Sequence, residues 1–265
     1  MAKPSPAAYV MIQAARAAGK GLARDFGEVE NLQVSKKGPA DFVSTADHRA
    51  EKVIFESLSK ARPGYGFLME ETGAVEGTDK THRFIIDPLD GTLNFLHGIP
   101  HFSVSIGLER DGRMVAGVVL DVAKGDLYWA ETGAGAWQND RRLRVAARKK
   151  PGEAVVATGI PYMGRPGHDR FVKELDAIAP SVAGIRRFGS AALDLAYVAA
   201  GRFDAFWERG LNAWDVAGGA VLVEEAGGKV THPDGPADDW LNTGDVLAGN
   251  LSLTPKLQGL IKEAA

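Results

Sequence analysis

A mixed chain is predicted, α+β in its first half and α/β in its second. Three observations carry this. Apolar residues recur at helical spacing in two segments before residue 62. Between about residues 67 and 137, short apolar runs follow one another with Asp-Gly and Lys-Gly turns among them. Beyond residue 150, strand-like runs alternate with helical ones, which is the grammar of an α/β unit.

Taken in order, Met11, Ala15, Ala18, Leu22 and Phe26 mark a first helix that Gly27 can end. A second runs from about 45 to 61, with Ala50, Val53, Ile54 and Leu58 on one face, Ser44 as N-cap and Pro63-Gly64 as the break. Phe67-Leu68-Met69 leads into Glu70-Glu71, and Phe84-Ile85-Ile86 leads into Asp87. Both read as buried strands whose C-terminal ends deliver acids, and alternation along a strand predicts that only one of the two glutamates enters a shared site. Residues 104–108, 114–120, 127–130 and 134–137 form a meander, with Asp111-Gly112 and Lys124-Gly125 as hairpin turns. Then come strands at 155–158, 185–188, 203–207 and 246–248. Helices at 169–179, 190–200 (closed by Gly201) and 212–226 (ended by Gly227-Gly228) lie between them, and a last helix follows.

The chain has 265 residues, with 31 Lys and Arg against 34 Asp and Glu, a net charge of −3. Its 45% hydrophobic and 25% charged residues are globular proportions, which exclude disorder as the main story. Such a chain buries roughly 70–75% of its unfolded surface, so the core needs no staples. Two halves are expected, 1–145 carrying most of the acids of interest and 146–265 completing the site, packed as one unit with a soft boundary near residues 144–151. The small net charge argues against a dedicated nucleic-acid binder. The absence of cysteine excludes disulfides, thiolate metal sites and a cysteine nucleophile. No apolar run approaches the roughly 18 residues of a membrane span. The start of the chain, with Pro4, Pro6 and Arg16, lacks a signal-type apolar block, so a cytoplasmic protein without membrane association is expected.

The densest chemical signal is Asp87-Pro88-Leu89-Asp90-Gly91-Thr92. Pro88 holds Asp87 in extended geometry, a natural strand terminus. Asp90 follows after a turn, so both carboxylates can converge on one side of a loop, and Gly91 lets backbone approach a ligand closely. A short helix starting near Thr92 would turn its free N–H groups toward an anion. The plainer alternative is an Asx turn with solvent-facing acids. Asp215, after Trp214, and Asp47, in Ser44-Thr45-Ala46-Asp47, each have a similarly plain alternative as helix-capping acids. Carboxylates held together repel, and a cation relieves this. Oxygen-only ligands suit Mg²⁺ or Mn²⁺, and paired acids can hold two ions roughly 3.5–4 Å apart for phosphoryl transfer.

At these residues the sequence resembles the inositol monophosphatase family, bacterial SuhB-type members in particular. The blocks that carry the resemblance are Asp41-Phe42-Val43-Ser44-Thr45-Ala46-Asp47, then Glu70-Glu71 with Asp87-Pro88-Leu89-Asp90-Gly91-Thr92-Leu93-Asn94-Phe95, then Trp214-Asp215-Val216-Ala217-Gly218 with Glu225-Ala226-Gly227-Gly228. Gly189-Ser190-Ala191-Ala192-Leu193-Asp194-Leu195-Ala196 points to the SuhB-type members. The resemblance implies a layered αβαβα sandwich shared with fructose bisphosphatases. It also implies Mg²⁺-dependent hydrolysis of inositol monophosphate by metal-activated water, with two or three ions, Mn²⁺ as a substitute, and inhibition by lithium.

By matching position, Glu70, Asp87 and the Leu89 carbonyl would bind one ion, and Asp87, Asp90 and Asp215 a second, while Glu70 helps hold a weaker third. Thr92 with Asp47 would position the attacking water. Backbone N–H groups of Gly91 and Thr92 would hold phosphate, and Asp215 would also bind the substrate. Ala191, Glu208 and Asp90 would meet the alcohol's hydroxyls. Met69 stands where the family usually has Gly, and Leu93 where it commonly has Thr, but neither position supplies a ligand side chain. Fructose bisphosphate, a nucleotide 3′-phosphate, NADP and histidinol phosphate remain alternative substrates, because the same metal core serves them all. Partners implied are a small phosphomonoester, a second copy in a homodimer, and RNA polymerase or an RNA-processing factor.

Other signals weigh less. The haloacid-dehalogenase nucleophile motif has one residue fewer between its acids. Gly133-Ala134-Gly135 lacks the third glycine of a dinucleotide loop, and no P-loop string occurs. Arg141, Arg142, Arg144, Arg148, Lys149 and Lys150 form a basic cluster, read either as a solvated linker or as a contact for an acidic partner. His97 and His101 read as loop residues bordering the site, and Trp214 as packing behind Asp215.

Overall fold

Apolar stripes on the first two helices pair them on one face of a sheet. In the computed structural model, which describes residues 3–28, 34–38, 41–235 and 239–264, side chains are described for all of these except 34–38 and 41–43. The side chains of Asp41, Phe42 and Val43, part of the first motif block, therefore lie outside the described set. Helix α1 (Pro6–Phe26) starts on Pro6 with Ser5 as N-cap, whose hydroxyl accepts from the Ala8 N–H, and it buries Met11, Ala15, Ala18 and Leu22. Helix α2 (Thr45–Ala61) is capped by Ser44 in a reciprocal box with Asp47, and it buries Ala46, Ala50, Ile54 and Leu58.

A short antiparallel pair, β1 (Val34–Gly38) and β2 (Asp41–Ser44), precedes α2. The main sheet then collects β3 (Gly66–Met69), β4 (Gly73–Val75), β5 (His82–Asp90), β6 (Ser103–Arg110), β7 (Arg113–Asp121), β8 (Asp126–Glu131), β9 (Gly135–Gln138) and β10 (Arg141–Arg142). Its order is β10-β9-β8-β7-β6-β5-β3-β4, with only β3 and β5 parallel. The meander turns fall where expected, on Asp111-Gly112 and Gly125, all at positive φ. Helix α3 (Thr92–Leu96) interrupts the sheet after β5.

The second sheet uses β11 (Val155–Thr158), β12 (Gly184–Arg186), β13 (Ala205–Glu208), β14 (Gly228–Thr231) and β15 (Val246–Asn250), in the order β12-β11-β13-β15-β14. Helices α4 (His168–Ile178) and α8 (Thr254–Glu263) pack together on its outer side, joined with it in one apolar cluster. Helices α5 (Ala191–Ala199) and α6 (Ala213–Glu225) lie between the two sheets, and α7 (Trp240–Thr243) is a single short turn. The layers thus run helix pair, sheet, helix pair, sheet, helix pair, an αβαβα sandwich. No described helix is long and apolar enough to cross a membrane.

The central helices explain their own composition. All nine residues of α5 are buried, as are Val216 to Val223 of α6, because sheets cover both sides. Small residues let α6 approach the main sheet. A Cβ on Gly117 of β7 would overlap the Gly218 carbonyl oxygen, and one on Gly107 of β6 would lie 2.7 Å from Ala217 Cβ. Because α6 also carries Asp215, this contact sets the depth of that acid. Gly117→Ala is expected to cost about 1–3 kcal/mol by overpacking, read as a lowered midpoint in thermal denaturation.

Some expectations shift. The strand predicted at 185–188 ends at Arg186, and the one predicted at 203–207 starts at Ala205. Strand β3 ends at Met69, so Glu70 and Glu71 stand in the turn beyond it and strand alternation does not govern them.

Candidate metal and phosphate site

Strand β5 carries its acids through an irregularity. Asp87 pairs with Ser105 and Asp90 with Ser103, so the register slips by one residue around Pro88, which has no N–H to give. Asp87 Oδ1 accepts from the Leu89 N–H at 2.9 Å, so the Asx turn is present. The acids do not face solvent, however: Asp87 is 2% exposed and Asp90 8%. Asp90 Oδ2 is fastened across the layers, accepting from Ser190 Oγ at 2.6 Å and the Ala192 N–H at 2.8 Å. Gly91, the residue before α3, has φ +94°, and a Cβ there would lie 3.1 Å from the His101 carbonyl oxygen. Glycine is required on both counts.

The remaining acids come from element ends. Glu70 follows β3, the parallel neighbour of β5, and its N–H donates to Ile86 O at 3.2 Å, one residue before Asp87. Glu71 instead gives its N–H to Glu51 on α2 at 2.8 Å. Asp47 and Asp215 both occupy capping boxes, so each plain reading is correct as far as it goes. Asp215 Oδ2 accepts from the Asn212 N–H at 2.7 Å. Asp47 Oδ2 accepts from Ser44, while its Oδ1 accepts from Thr92 Oγ1 at 3.2 Å. The Thr92 hydroxyl also lies 3.0 Å from the Leu89 carbonyl oxygen, which keeps a second lone pair.

The electrostatics of this group are unfavourable without a cation. Burial, then the charges of Glu70, Asp90 and Asp215, push the Asp87 carboxyl well above the usual range, and Asp87 shares a hydrogen bond with Glu70. Asp215 is pushed up by burial and by Asp90, against the pull of the Asn212 N–H. Asp90 rises to about 6 through burial, restrained by Ser190 and the N–H groups of Ala192 and Ala191. Four acids with mutual repulsion and a backbone carbonyl form an all-oxygen donor set, which fits hard divalent cations. Among the described residues, the one group of three whose ligand atoms all lie within 4.8 Å is His232, Asp234 and Asp245.

The His232 group has its own cation. Arg209 donates to Asp245 at 2.7 Å, to Asp234 at 2.6 Å and to Glu174 at 2.7 Å. That network anchors the chain just after Glu208, at the end of β13.

Glu208 lines a cleft of about 150 Å³ together with Asp90, Ala191, Asp194 and Asp215, with Arg165 and Arg187 at its walls. Burial pushes Glu208 up to about 7, with Arg187 opposing and Asp90 adding to the rise. Its carboxylate packs against Gly159, where any Cβ would overlap it. Ala191 is in the cleft as expected, but its N–H is directed at Asp90. Past Glu208 the cleft adjoins a larger hollow of about 440 Å³, lined in part by Tyr162, Arg165, Phe171 and Trp207.

Sequence reasoning passed over Ser103, Ser190 and Asp194. Ser103 and Ser105, two apart at the buried start of β6, and Asp194, the one acid in an apolar helix, were the available signals. His101 packs edge-on against Phe188 and Tyr197, and burial lowers it to about 4, so it stays neutral. In the basic cluster, Arg148 is bound to Asp204 at 2.6 Å and Arg142 lies over Trp137, while Arg141, Arg142, Arg144 and Lys149 are exposed.

Residues 3–265 match the inositol monophosphatase family. An inositol-1-monophosphatase of Caulobacter vibrioides is 58% identical over 256 residues, 96% of this chain and 100% of that protein. The Nus factor SuhB of Pseudomonas aeruginosa is 43% identical over 249 residues, 92% of each chain. The crystal structure of the extragenic suppressor protein SuhB from Bartonella henselae superposes with a TM-score of 0.94 at 54% identity, covering 97% of this chain and 98% of that one. Family members are generally metal-dependent, which agrees with the donor set described above. The chain belongs to the inositol monophosphatase family and is a phosphatase.

Proposed function

We propose that the chain hydrolyses inositol monophosphate to inositol and phosphate with Mg²⁺ as its resident cation. The observation that carries this reading is the convergence of mutually repelling acids from the turn after β3, from β5 and from α6 beside a cleft sized for a small alcohol. Glu70, Asp87, the Leu89 carbonyl, Asp90 and Asp215 would hold two or three cations, with Mn²⁺ as a substitute. When bound, these cations supply positive charge for the phosphoryl oxygens and acidify water. The chain's own groups do the rest. Thr92, through its link to Asp47, orients the attacking water and passes a proton toward the carboxylate. The first turn of α3 presents the N–H groups of Gly91 and Thr92 to phosphate. Glu208, at the far end of the cleft, accepts from hydroxyls of the alcohol.

A phosphate-release panel tests the reading. Inositol 1-phosphate with Mg²⁺ is expected to give the highest kcat/KM among inositol, fructose, nucleotide and histidinol phosphates, and lithium to suppress turnover. A higher kcat/KM for any other member would replace the substrate. Activity unchanged by a chelator would remove the cations.

The likeness to a Nus factor SuhB favours a second reading, contact with RNA polymerase or an RNA-processing factor through exposed Arg141, Arg142, Arg144 and Lys149. Reversing these charges is expected to abolish such binding at low salt and to leave hydrolysis unchanged. Retained binding would exclude this surface. A homodimer is part of the same proposal and is tested by sedimentation.

A further inference from the structure

We propose that Asp194 is a second hydroxyl-binding carboxylate, which together with Glu208 makes the cleft select polyol phosphates over phosphates of simple alcohols and phenols. The inference rests on the phosphatase reading of the cleft and deepens it. Asp194 is the fourth residue of α5, 1% exposed in a helix that is otherwise apolar apart from the Tyr197 hydroxyl. It lines the same cleft as Glu208, Asp90 and Asp215. Its Oδ1 is buried with no hydrogen-bond partner.

A buried carboxylate oxygen without a partner is costly, and packing does not require it, since Asn or Leu would fill a helix position of this kind. The neighbours worsen the cost. Burial comes first, then the charges of Glu208 and Asp90, and the opposing charge is Arg187. Among the described residues, Asp194 and Arg187 form no hydrogen bond or ion pair with each other, so the arginine tempers the site without consuming the carboxylate. The free energy lost in the empty cleft is recovered when a donor enters. A ring bearing adjacent hydroxyls can offer one to Glu208 and another to Asp194, whereas a phenyl group offers none to either. Sites built to bond a substrate hydroxyl reject analogues that lack it, because the site's own buried group is then left unpaired.

The test compares wild type, Asp194→Asn and Asp194→Leu in Mg²⁺ on a set of polyol phosphates (inositol 1-phosphate and hexose 1-phosphates) and on p-nitrophenyl phosphate. For the best polyol substrate, Asp194→Leu is expected to lower kcat/KM about 10-fold, the loss of one hydrogen bond to a buried carboxyl group. The change should lie mainly in KM, while p-nitrophenyl phosphate stays within about twofold. Both variants are expected to melt at or above the wild-type temperature, because an unpartnered buried carboxylate has been removed. A residue that only held the helix would lower the melting temperature and affect both substrate types alike, and that result would overturn the proposal. So would a wild type with no preference for any polyol phosphate. If the preferred polyol is not inositol, the substrate in the proposed function falls while the Asp194 comparison still stands on the better substrate.

Discussion

Asp87→Asn is expected to lower Mg²⁺-dependent turnover by about three orders of magnitude and, in the same protein without cations, to raise the melting temperature. The two effects have one cause. Asp87 is buried, shares a hydrogen bond with Glu70 and feels the charges of Glu70, Asp90 and Asp215. Without cations its ionised form is opposed by burial and by every neighbour, so a neutral amide of the same shape relieves the native state. With cations the same crowding is what binds them, and an amide supplies neither the charge nor the second strong oxygen. A loss of about 4 kcal/mol in transition-state stabilisation corresponds to the stated drop. Phosphate release and differential scanning calorimetry on one preparation check both signs. Turnover at the wild-type rate would remove Asp87 from the site.

The second large effect is a pH-dependent response to Mg²⁺. Asp90 has a folded-state pKa of about 6, above its ordinary 3.8, and Asp87 and Asp215 are also raised well above theirs by burial and by their neighbours. The native state therefore binds more protons than the unfolded state. The stability these groups contribute is fully present below about pH 4 and is lost as pH rises through about 6 and beyond. For Asp90 alone the loss is on the order of 3 kcal/mol. The cation-free protein is thus expected to be less stable at pH 8 than at pH 5. Divalent cations bind the ionised carboxylates, so the rise in melting temperature on adding Mg²⁺ should be large at pH 8 and small at pH 5. Activity should fall on the acid side, with extra Mg²⁺ restoring part of it. An equal Mg²⁺ effect at both pH values would mean that these acids are not the ligands.

Much of this was legible in the chain because the acids sit at element ends that sequence grammar finds readily. Asp87 and Asp90 stand out by density around Pro88 and Gly91. Asp47 and Asp215 are harder, since each satisfies a capping box that is sufficient reason for an acid at that position. Their second role depends on what lies opposite, which for Asp47 is Thr92, 45 residues away. Glu70 does lie against Asp87, but the alternation argument for it does not hold, because β3 stops at Met69. Ser190 escaped notice because its value comes from a bond to Asp90 across 100 residues and two layers. Asp194 escaped for a related reason: nothing within its helix marks it except its being charged where everything else is apolar. Short strands such as β4 and β14, three and four residues long, carry too little periodicity to read.

The central claim is that acids from the turn after β3, from β5 and from α6 share divalent cations. Anomalous diffraction from crystals soaked in manganese tests it most directly. Strong peaks are expected among the carboxylates of Asp87, Asp90 and Asp215 and beside the Leu89 carbonyl, with none at His232, where Arg209 already supplies the positive charge. Manganese bound elsewhere on the molecule, with no peak beside Asp87 and Asp90, would contradict the account.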